Sequence, residues 1–190
     1  MLQIIIIVIA IAADQISKIA VVDWLQVPGT TSVLIEDVLS FTYVQNTGAA
    51  FGLMSGAVWL FVPVTALMCA ALLGYMYKKK DLHWLAKVSL SLIVAGGIGN
   101  LIDRLALGYV RDFIEFTFVR FYTFNVADIC VTCGAFVLIV ILIRSEIKSW
   151  RESKQSCDQE EDPQGEDTTK ASKPHYRELN DAENAYHENA

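Results

Sequence analysis

The chain has 190 residues, of which 54% are hydrophobic and 19% are charged, and its mean hydropathy is +0.40. Ordinary soluble domains are about 45–50% apolar and about 25% charged, so this composition indicates a membrane protein. Most of the net charge of −6 belongs to residues 148–190, where eleven acids accompany six bases. The preceding 147 residues carry nine bases without a basic stripe, which excludes a nucleic-acid-binding class.

Four apolar runs follow one another along the chain, at 1–22, 56–77, 84–102 and 126–143. A helix needs about 20 residues to cross a bilayer, and each run is at or near that length. We therefore predict four transmembrane helices. Pro63 lies inside the second run, where neighbouring helices can satisfy the backbone groups that it frees.

The start of the first run also resembles a secretory signal peptide, with an apolar stretch at 2–11 and small residues at 10–12. Signal peptides begin with a positively charged region, which is missing here, and apolar residues resume after Lys18. We therefore expect this segment to be retained as the first helix.

The distribution of basic residues predicts the orientation, because lysine and arginine stay on the cytoplasmic side. Lysines occupy 78–80 after the second run, and further bases follow the fourth run within 144–154. The stretch 23–55 carries no base. Both termini are therefore predicted to be cytoplasmic, with 23–55 and about 105–125 on the outer side.

Three arginines oppose this orientation, because Arg104, Arg111 and Arg120 fall on the predicted outer side. A base on that side needs a reason, and pairing with functional acids is one.

The first outer segment contains β-branched and aromatic residues at 31–45, around an acidic pair at 36–37. This pattern predicts a small hairpin or sheet against the membrane surface. It leads into 46–52, where Asn46 is followed by small residues such as Gly48 that permit close backbone approach.

The last part of the chain differs sharply in composition from the rest. Residues 148–190 are rich in charge, Ser and Gln and poor in apolar residues, which predicts a disordered cytoplasmic tail rather than a partner-binding element. The chain is thus divided into a membrane domain at 1–147 and an acidic tail at 148–190.

Ionisable side chains within membrane-spanning helices are costly to place there and are therefore functional candidates. Asp14 and Lys18 are four residues apart, on one face of the first predicted helix, where they can pair. Two interpretations remain open, a structural ion pair that fixes the helix against its neighbours, or direct participation in chemistry.

The third run ends in a polar, glycine-rich stretch at 96–104, whose glycines permit close helix packing. Asn100 and Arg104 project from one side of this helix, and Asp103 lies between them in sequence. Arg104 is either a site residue or an arginine whose head group reaches the membrane interface.

Two further carboxylates, Asp112 and Asp128, lie among apolar residues at the predicted outer membrane edge. Two carboxyls close together at low dielectric do not both ionise readily, so one keeps its proton while the other accepts one from water. Such a pair activates water against a peptide carbonyl. The alternative for Asp128 is an N-cap of the fourth helix.

Metal and redox chemistry have little support in the sequence. His83, His175 and His187 are far apart and fit no zinc motif. Cys130 and Cys133 form a C-x-x-C within the fourth run, where we interpret them as small apolar residues of a helix. We expect no metal.

The candidate polar residues fall in five motifs: Asp14-Gln15-Ile16-Ser17-Lys18, Gln45-Asn46-Thr47-Gly48-Ala49-Ala50-Phe51, Gly99-Asn100-Leu101-Ile102-Asp103-Arg104, Val110-Arg111-Asp112-Phe113-Ile114 and Phe124-Asn125-Val126-Ala127-Asp128. In order and spacing they resemble the bacterial lipoprotein signal peptidase family, or signal peptidase II, over about residues 5–145. Each motif alone is weak evidence, whereas five in this order are specific.

The resemblance implies an α-helical integral membrane protein with four transmembrane helices and a small extracytoplasmic β-cradle. It implies an aspartyl endopeptidase of the bacterial cytoplasmic (inner) membrane, surrounded by membrane lipids, with its active site near the outer leaflet. We expect a monomer. Its substrates would be prolipoproteins, cut on the amino side of a cysteine already modified with diacylglycerol. No metal or organic cofactor is implied.

The motifs also imply roles for individual residues. By the match, Asp112 and Asp128 would be the catalytic dyad. The other residues lining the site would be Asn46, Gly48, Asn100, Arg104 and Asn125. Structural support would come from Asp14, Lys18 and Asp103. The asparagine amides would hold an extended peptide backbone, which needs hydrogen bonds once it leaves water.

Two features depart from the family pattern, because no basic residue precedes the first run and the tail is longer and more acidic. A small membrane carrier is an alternative function, since intramembrane charges also mark transport pathways, but the sequence has no paired half-repeats. A non-enzymatic scaffold leaves the clustered polar motifs unexplained. A presenilin-type protease needs Gly-x-Gly-Asp, where this chain has an amide at Asn100.

Overall fold

The computed structural model describes residues 1–48, 58–119 and 121–160. In chain order its elements are α1 (Leu2–Leu25), β1 (Thr31–Ile35), β2 (Leu39–Asn46), α2 (Val58–Lys78), α3 (Trp84–Leu107), β3 (Val110–Phe116) and α4 (Val126–Glu160). All four helices are long and apolar enough to cross a membrane. The prediction of four such helices is confirmed.

Helix α3 is longer than the apolar run that predicted it, because Asp103 and Arg104 interrupt the apolar residues before the helix ends. It continues to Leu107, so Asp103 and Arg104 lie within the helix. Gly108 ends it with a φ of 81°, and its N–H donates to the Arg104 carbonyl over 3.2 Å. This left-handed turn suits glycine and leads the chain directly into β3.

Small residues bring the helices into close contact, as membrane helices require. A Cβ at Gly134 of α4 would lie 2.7 Å from the Ser89 carbonyl oxygen of α3. A Cβ at Gly96 would likewise meet the carbonyl oxygen of Ala127. Large apolar side chains elsewhere are exposed on the helix surfaces, as expected where lipid replaces water.

Three antiparallel strands form one sheet in the order β1-β2-β3. The hairpin predicted at 31–45 is confirmed as β1 and β2. Strand β3 was not predicted, because its alternation is interrupted by the charged residues of the motif around Asp112. In the sheet Asp112 lies opposite Val44, next to a register shift between Phe41 and Val44.

A small apolar core fixes the sheet against the first helix. Val21 and Leu25 of α1 pack with Tyr43 of β2 and Phe113 of β3. Side chains alternate along a strand, so the burial of Phe113 in this core directs the neighbouring Asp112 to the other face. The core therefore determines which way the Asp112 carboxyl points.

The predicted domain boundary at 147/148 falls inside α4, which is helical as far as Glu160. Residues 148–160 thus differ from the predicted disorder, because they are rich in helix-forming residues and continue an existing helix. Lys148 and Glu152, one turn apart, approach to 3.7 Å. Residues 161–190 of the predicted tail lie outside the described residues.

Candidate active site

Strand β3 holds Asp112 in a buried position between two amides. The Asn46 Nδ2 donates to one carboxyl oxygen over 2.8 Å, and the Asn125 Nδ2 donates to the other over 2.6 Å. Asn46 ends β2, the strand paired with β3, whereas Asn125 immediately precedes α4. The two predicted site residues therefore reach Asp112 from different elements.

Asp128 lies in the first turn of α4 and is bound to the residue that caps this helix. The Asn125 Oδ1 accepts the Asp128 N–H over 3.0 Å, and the Asp128 carboxylate accepts the Asn125 N–H over 3.2 Å. This reciprocal pair is a capping box. The N-cap alternative for Asp128 is therefore wrong, because Asn125 is the cap. The second Asp128 oxygen accepts the Asn100 Nδ2 over 2.7 Å.

The structure thus brings the two predicted acids together around a shared asparagine. Asn125, fully buried, donates its amide to Asp112 and its backbone N–H to Asp128. Both aspartates line the same cavity. A buried carboxyl and a half-buried one at the same cavity, each held by hydrogen bonds, are the arrangement needed to activate a water molecule.

The three asparagine amides donate hydrogen bonds to the two carboxyls, and Asn100 and Asn125 are not among the residues that line the cavity. Their role in holding a peptide backbone stays a prediction. Carboxylates accept hydrogen bonds more strongly than neutral groups do, so the amide N–H groups donate preferentially to them. The amides position the acids, and Asn46 alone of the three also borders the cavity.

The environment of Asp112 favours its protonated form. Burial raises the pKa of this carboxyl to about 7, and the charge of Asp128 acts in the same direction. The hydrogen bonds from Asn46 and Asn125 oppose the rise, since they stabilise the ionised carboxylate. Asp112 is therefore partly protonated at neutral pH.

A buried group of charged residues lies behind the two aspartates. The Lys18 Nζ is 2.9 Å from Asp14, the pairing expected from their spacing, and 3.4 Å from Asp103. Asp103 also forms an ion pair of 2.7 Å with Arg111. Alternating charges of this kind offset the cost of burying each one. The group joins α1, α3 and β3.

Gln15 and Arg111 complete this group and were not identified as site residues from the sequence. The Gln15 Nε2 donates to Asp103 over 3.2 Å and to the Gly99 carbonyl over 3.1 Å, while its Oε1 accepts from Arg111 over 2.9 Å. Both residues belong to the motifs around Asp14 and Asp112. Their position inside those motifs was the feature of the sequence that could have identified them as site residues.

Pairing with an acid, given above as one reason for an arginine on the outer side, applies to Arg111, which contacts Asp103. No salt bridge includes Arg104 among the residues with described side chains. Its guanidinium donates to the Gly48 carbonyl over 3.3 Å and lies 5.5 Å from the centre of the Phe61 ring. Arg104 therefore borders the cavity with its charge unpaired by those residues. Arg120 lies outside the described residues.

The cavity has a volume of about 890 Å³ and is lined by both polar and aromatic residues. Asn46, Gly48 and Arg104 provide polar groups beside the aspartates. Aromatic residues that contact one another also line it, and the ring centres of Phe116 and Phe124 are 5.3 Å apart. A ligand with one polar end and one apolar end fits such a cavity.

Comparison with known proteins gives the same assignment over most of the chain. A family model described as Signal peptidase (SPase) II matches residues 6–144. The lipoprotein signal peptidase of Symbiobacterium thermophilum is 40% identical over 150 residues, covering 78% of this chain and 98% of that protein. That of Clostridioides difficile is 40% identical over 149 residues, covering 78% and 99%.

A solved structure agrees with this result. It is described as a bacterial membrane enzyme, and it superposes with a TM-score of 0.71 at 32% identity, covering 76% of this chain and 88% of that one. Together with the four apolar helices, this makes the protein a multi-pass membrane protein. The chain belongs to the signal peptidase II family.

Proposed function

We propose that this protein removes signal peptides from prolipoproteins, and that Asp112 and Asp128 are its catalytic dyad. Its relatives are named lipoprotein signal peptidases, which supports the reaction. The observation that supports the dyad is the placement of two carboxyls, both hydrogen-bonded to Asn125, at one cavity. No other pair of acids among the described residues borders that cavity.

In the proposed reaction the dyad shares one proton, held by Asp112. Asp128 accepts a proton from water while the water oxygen attacks the scissile carbonyl carbon, and Asp112 gives its proton to the carbonyl oxygen. The tetrahedral diol then collapses. The amide nitrogen takes a proton from Asp128 as the C–N bond breaks, and the diol returns a proton to Asp112.

The proposed substrate is a prolipoprotein whose cysteine carries diacylglycerol, cut on the amino side of that cysteine. The apolar wall around Phe116 and Phe124 suits lipid or an apolar signal sequence, whereas Arg104 and Asn46 suit a peptide carbonyl. No metal or organic cofactor enters this chemistry, because the two carboxyls and water supply every proton that moves.

The proposed location is the bacterial cytoplasmic membrane, in a monomer with both termini inside. The basic residues at 78–80 and in 144–154 support that orientation. The sheet and the dyad then lie on the outer side, near the outer leaflet. A substrate anchored there by its lipid reaches Asp112 and Asp128 without leaving the membrane.

The test compares a diacylglyceryl-modified prolipoprotein with the same precursor lacking the lipid, using purified enzyme in detergent and mass spectrometry of the products. We expect cleavage of the lipidated precursor alone, with the lipidated cysteine as the new N-terminus. Equal cleavage of both precursors would contradict the proposed substrate. No cleavage of either, with ion flux in vesicles, would instead support the carrier.

A further inference from the structure

The amides around the dyad share a common orientation. The Asn46 Oδ1 accepts the Gly48 N–H over 2.9 Å, and the Asn125 Oδ1 accepts the Asp128 N–H over 3.0 Å. Each amide oxygen is therefore occupied, so each NH₂ group must face a carboxyl. For these two asparagines the donor that fixes the oxygen belongs to the backbone.

Asn100 differs, because side chains fix its amide oxygen. The Lys18 Nζ donates to the Asn100 Oδ1 over 3.0 Å, and the Asn125 Nδ2 donates to the same atom over 3.1 Å. The Asn100 Nδ2 in turn donates to Asp128 over 2.7 Å. An ammonium group on the oxygen of an amide polarises it and strengthens the hydrogen bond that its NH₂ donates.

The geometry of Lys18 leaves it no direct part in the reaction. Its side chain is fully buried and is not among the residues that line the cavity. An ammonium has three hydrogens, and Lys18 has three acceptors within reach, on Asp14, Asp103 and Asn100. Two of these contacts form ion pairs, and the third points towards the dyad.

We propose that Lys18 is a positioning residue for the dyad, which acts through the Asn100 amide to hold Asp128 in the ionised form that accepts a proton from water. This inference rests on the proposed function. A lysine with a purely structural role would need only its ion pairs with Asp14 and Asp103. The contact with Asn100 distinguishes the two roles.

Other charged groups surround the dyad and must stay constant in a test. Those on the packed elements are Asp14 and Lys18 of α1, Asp103 and Arg104 of α3, and Arg111 of β3. Removal of Lys18 alone would leave Asp14 without its ion-pair partner. A charge-balanced variant is therefore needed.

The experiment compares Asp14→Asn with Asp14→Asn/Lys18→Met, both as full-length protein in detergent. Both variants keep an oxygen at position 14 to accept the Ala127 N–H, and Asp103 keeps its partner Arg111. The readout is the pH profile of kcat/KM on the lipidated precursor. We expect the acidic limb of the pH profile of Asp14→Asn/Lys18→Met to lie about one pH unit above that of Asp14→Asn.

Activity that falls by the same factor at every pH, with the limb unmoved, would overturn the proposal while leaving the function of the dyad intact. If the double variant does not fold, Asp14→Asn/Lys18→Gln provides the test, since an amide at position 18 removes the ammonium charge and keeps a hydrogen-bond donor. Asn100 then loses the charge that polarises its oxygen, so the limb must again lie at higher pH than that of Asp14→Asn. An unmoved limb in this variant would equally overturn the proposal.

Discussion

At the scale of single residues, chemistry depends on where each carboxyl is buried. Asp112 and Asp128 are the same amino acid, yet one is held on a strand by two side-chain amides and the other on a helix by one amide and one backbone N–H. Unlike surroundings separate the proton affinities of two nearby acids. This asymmetry lets one member donate a proton while the other accepts one.

The raised pKa of Asp112 predicts the alkaline side of the activity profile. Its value of about 7 exceeds the usual value near 4, so Asp112 holds its proton below neutral pH and loses it as pH rises through 7. We expect kcat/KM to fall about tenfold per pH unit above that range. The measurement is a pH series on the lipidated precursor, and a profile that stays flat to pH 9 would contradict the prediction.

The roles of single residues were partly predictable from the sequence. Asp14 and Lys18 were paired correctly because their spacing of four places them on one helix face. The orientation of Asn100 towards Asp128 was not predicted. An amide NH₂ donates to the strongest acceptor within reach, and only the folded chain determines which acceptor that is. Gln15 was missed for the same reason, since its partners lie far away in sequence.

At the scale of elements, close approach of α1, α3 and α4 holds the site together. A Cβ added at Gly99 would lie 2.5 Å from the Asp14 Oδ2 and 3.3 Å from the Ala127 Cβ. Gly99 therefore lets three helices meet where the buried charges and the start of α4 are joined. The glycines in the sequence indicated close helix packing here, and the structure identifies Asp14 and Ala127 as the residues packed against Gly99.

Gly99→Ala should therefore destabilise the protein and reduce cleavage. Because Asp14 is held by Lys18 and by the Ala127 N–H, it cannot easily move away, and we expect a loss of about 1–3 kcal/mol in stability. Thermal unfolding in detergent measures this loss. The matched control is Gly74→Ala in α2, where a Cβ meets nothing within 4 Å. Equal melting temperatures for the two variants would refute the packing argument.

Strand β3 shows where element prediction failed. Its residues contain charged Arg111 and Asp112, which hide the strand pattern in the sequence. The ladder with β2 and the contact of Phe113 with Phe41, 5.5 Å between ring centres, stabilise it as a strand. Pairing with a strand distant in sequence outweighs the local conformational preference of these residues. The sequence of β3 alone does not indicate that pairing.

At the scale of the whole molecule, hydropathy was sufficient to predict four helices, because the length needed to cross a bilayer is fixed by the bilayer itself. It was not sufficient to predict where α4 ends. The match to the family model stops at residue 144, while α4 continues to Glu160. The extension therefore lies outside the part of the chain that carries the family resemblance.

Truncation after Arg151 should leave the reaction nearly intact. Every residue placed at the dyad, its amides or its buried charges lies before residue 129. We expect kcat/KM of the truncated enzyme to stay within about twofold of the full-length value in detergent. A loss greater than about tenfold, in protein that unfolds at the same temperature, would show that the tail takes part in catalysis.

Single amide substitutions show whether Asp112 and Asp128 together perform the cleavage. Asp112→Asn and Asp128→Asn keep the size of the side chain but remove its proton chemistry. The control is Asp37→Asn, an exposed acid with a φ of 56° that asparagine also adopts readily.

The decisive measurement is kcat/KM of these three variants on a diacylglyceryl-modified prolipoprotein, with folding checked by thermal unfolding. We expect a loss of at least about 10³-fold for Asp112→Asn and for Asp128→Asn, and wild-type activity for Asp37→Asn. Normal turnover by either dyad variant would show that the two carboxyls do not perform the cleavage together.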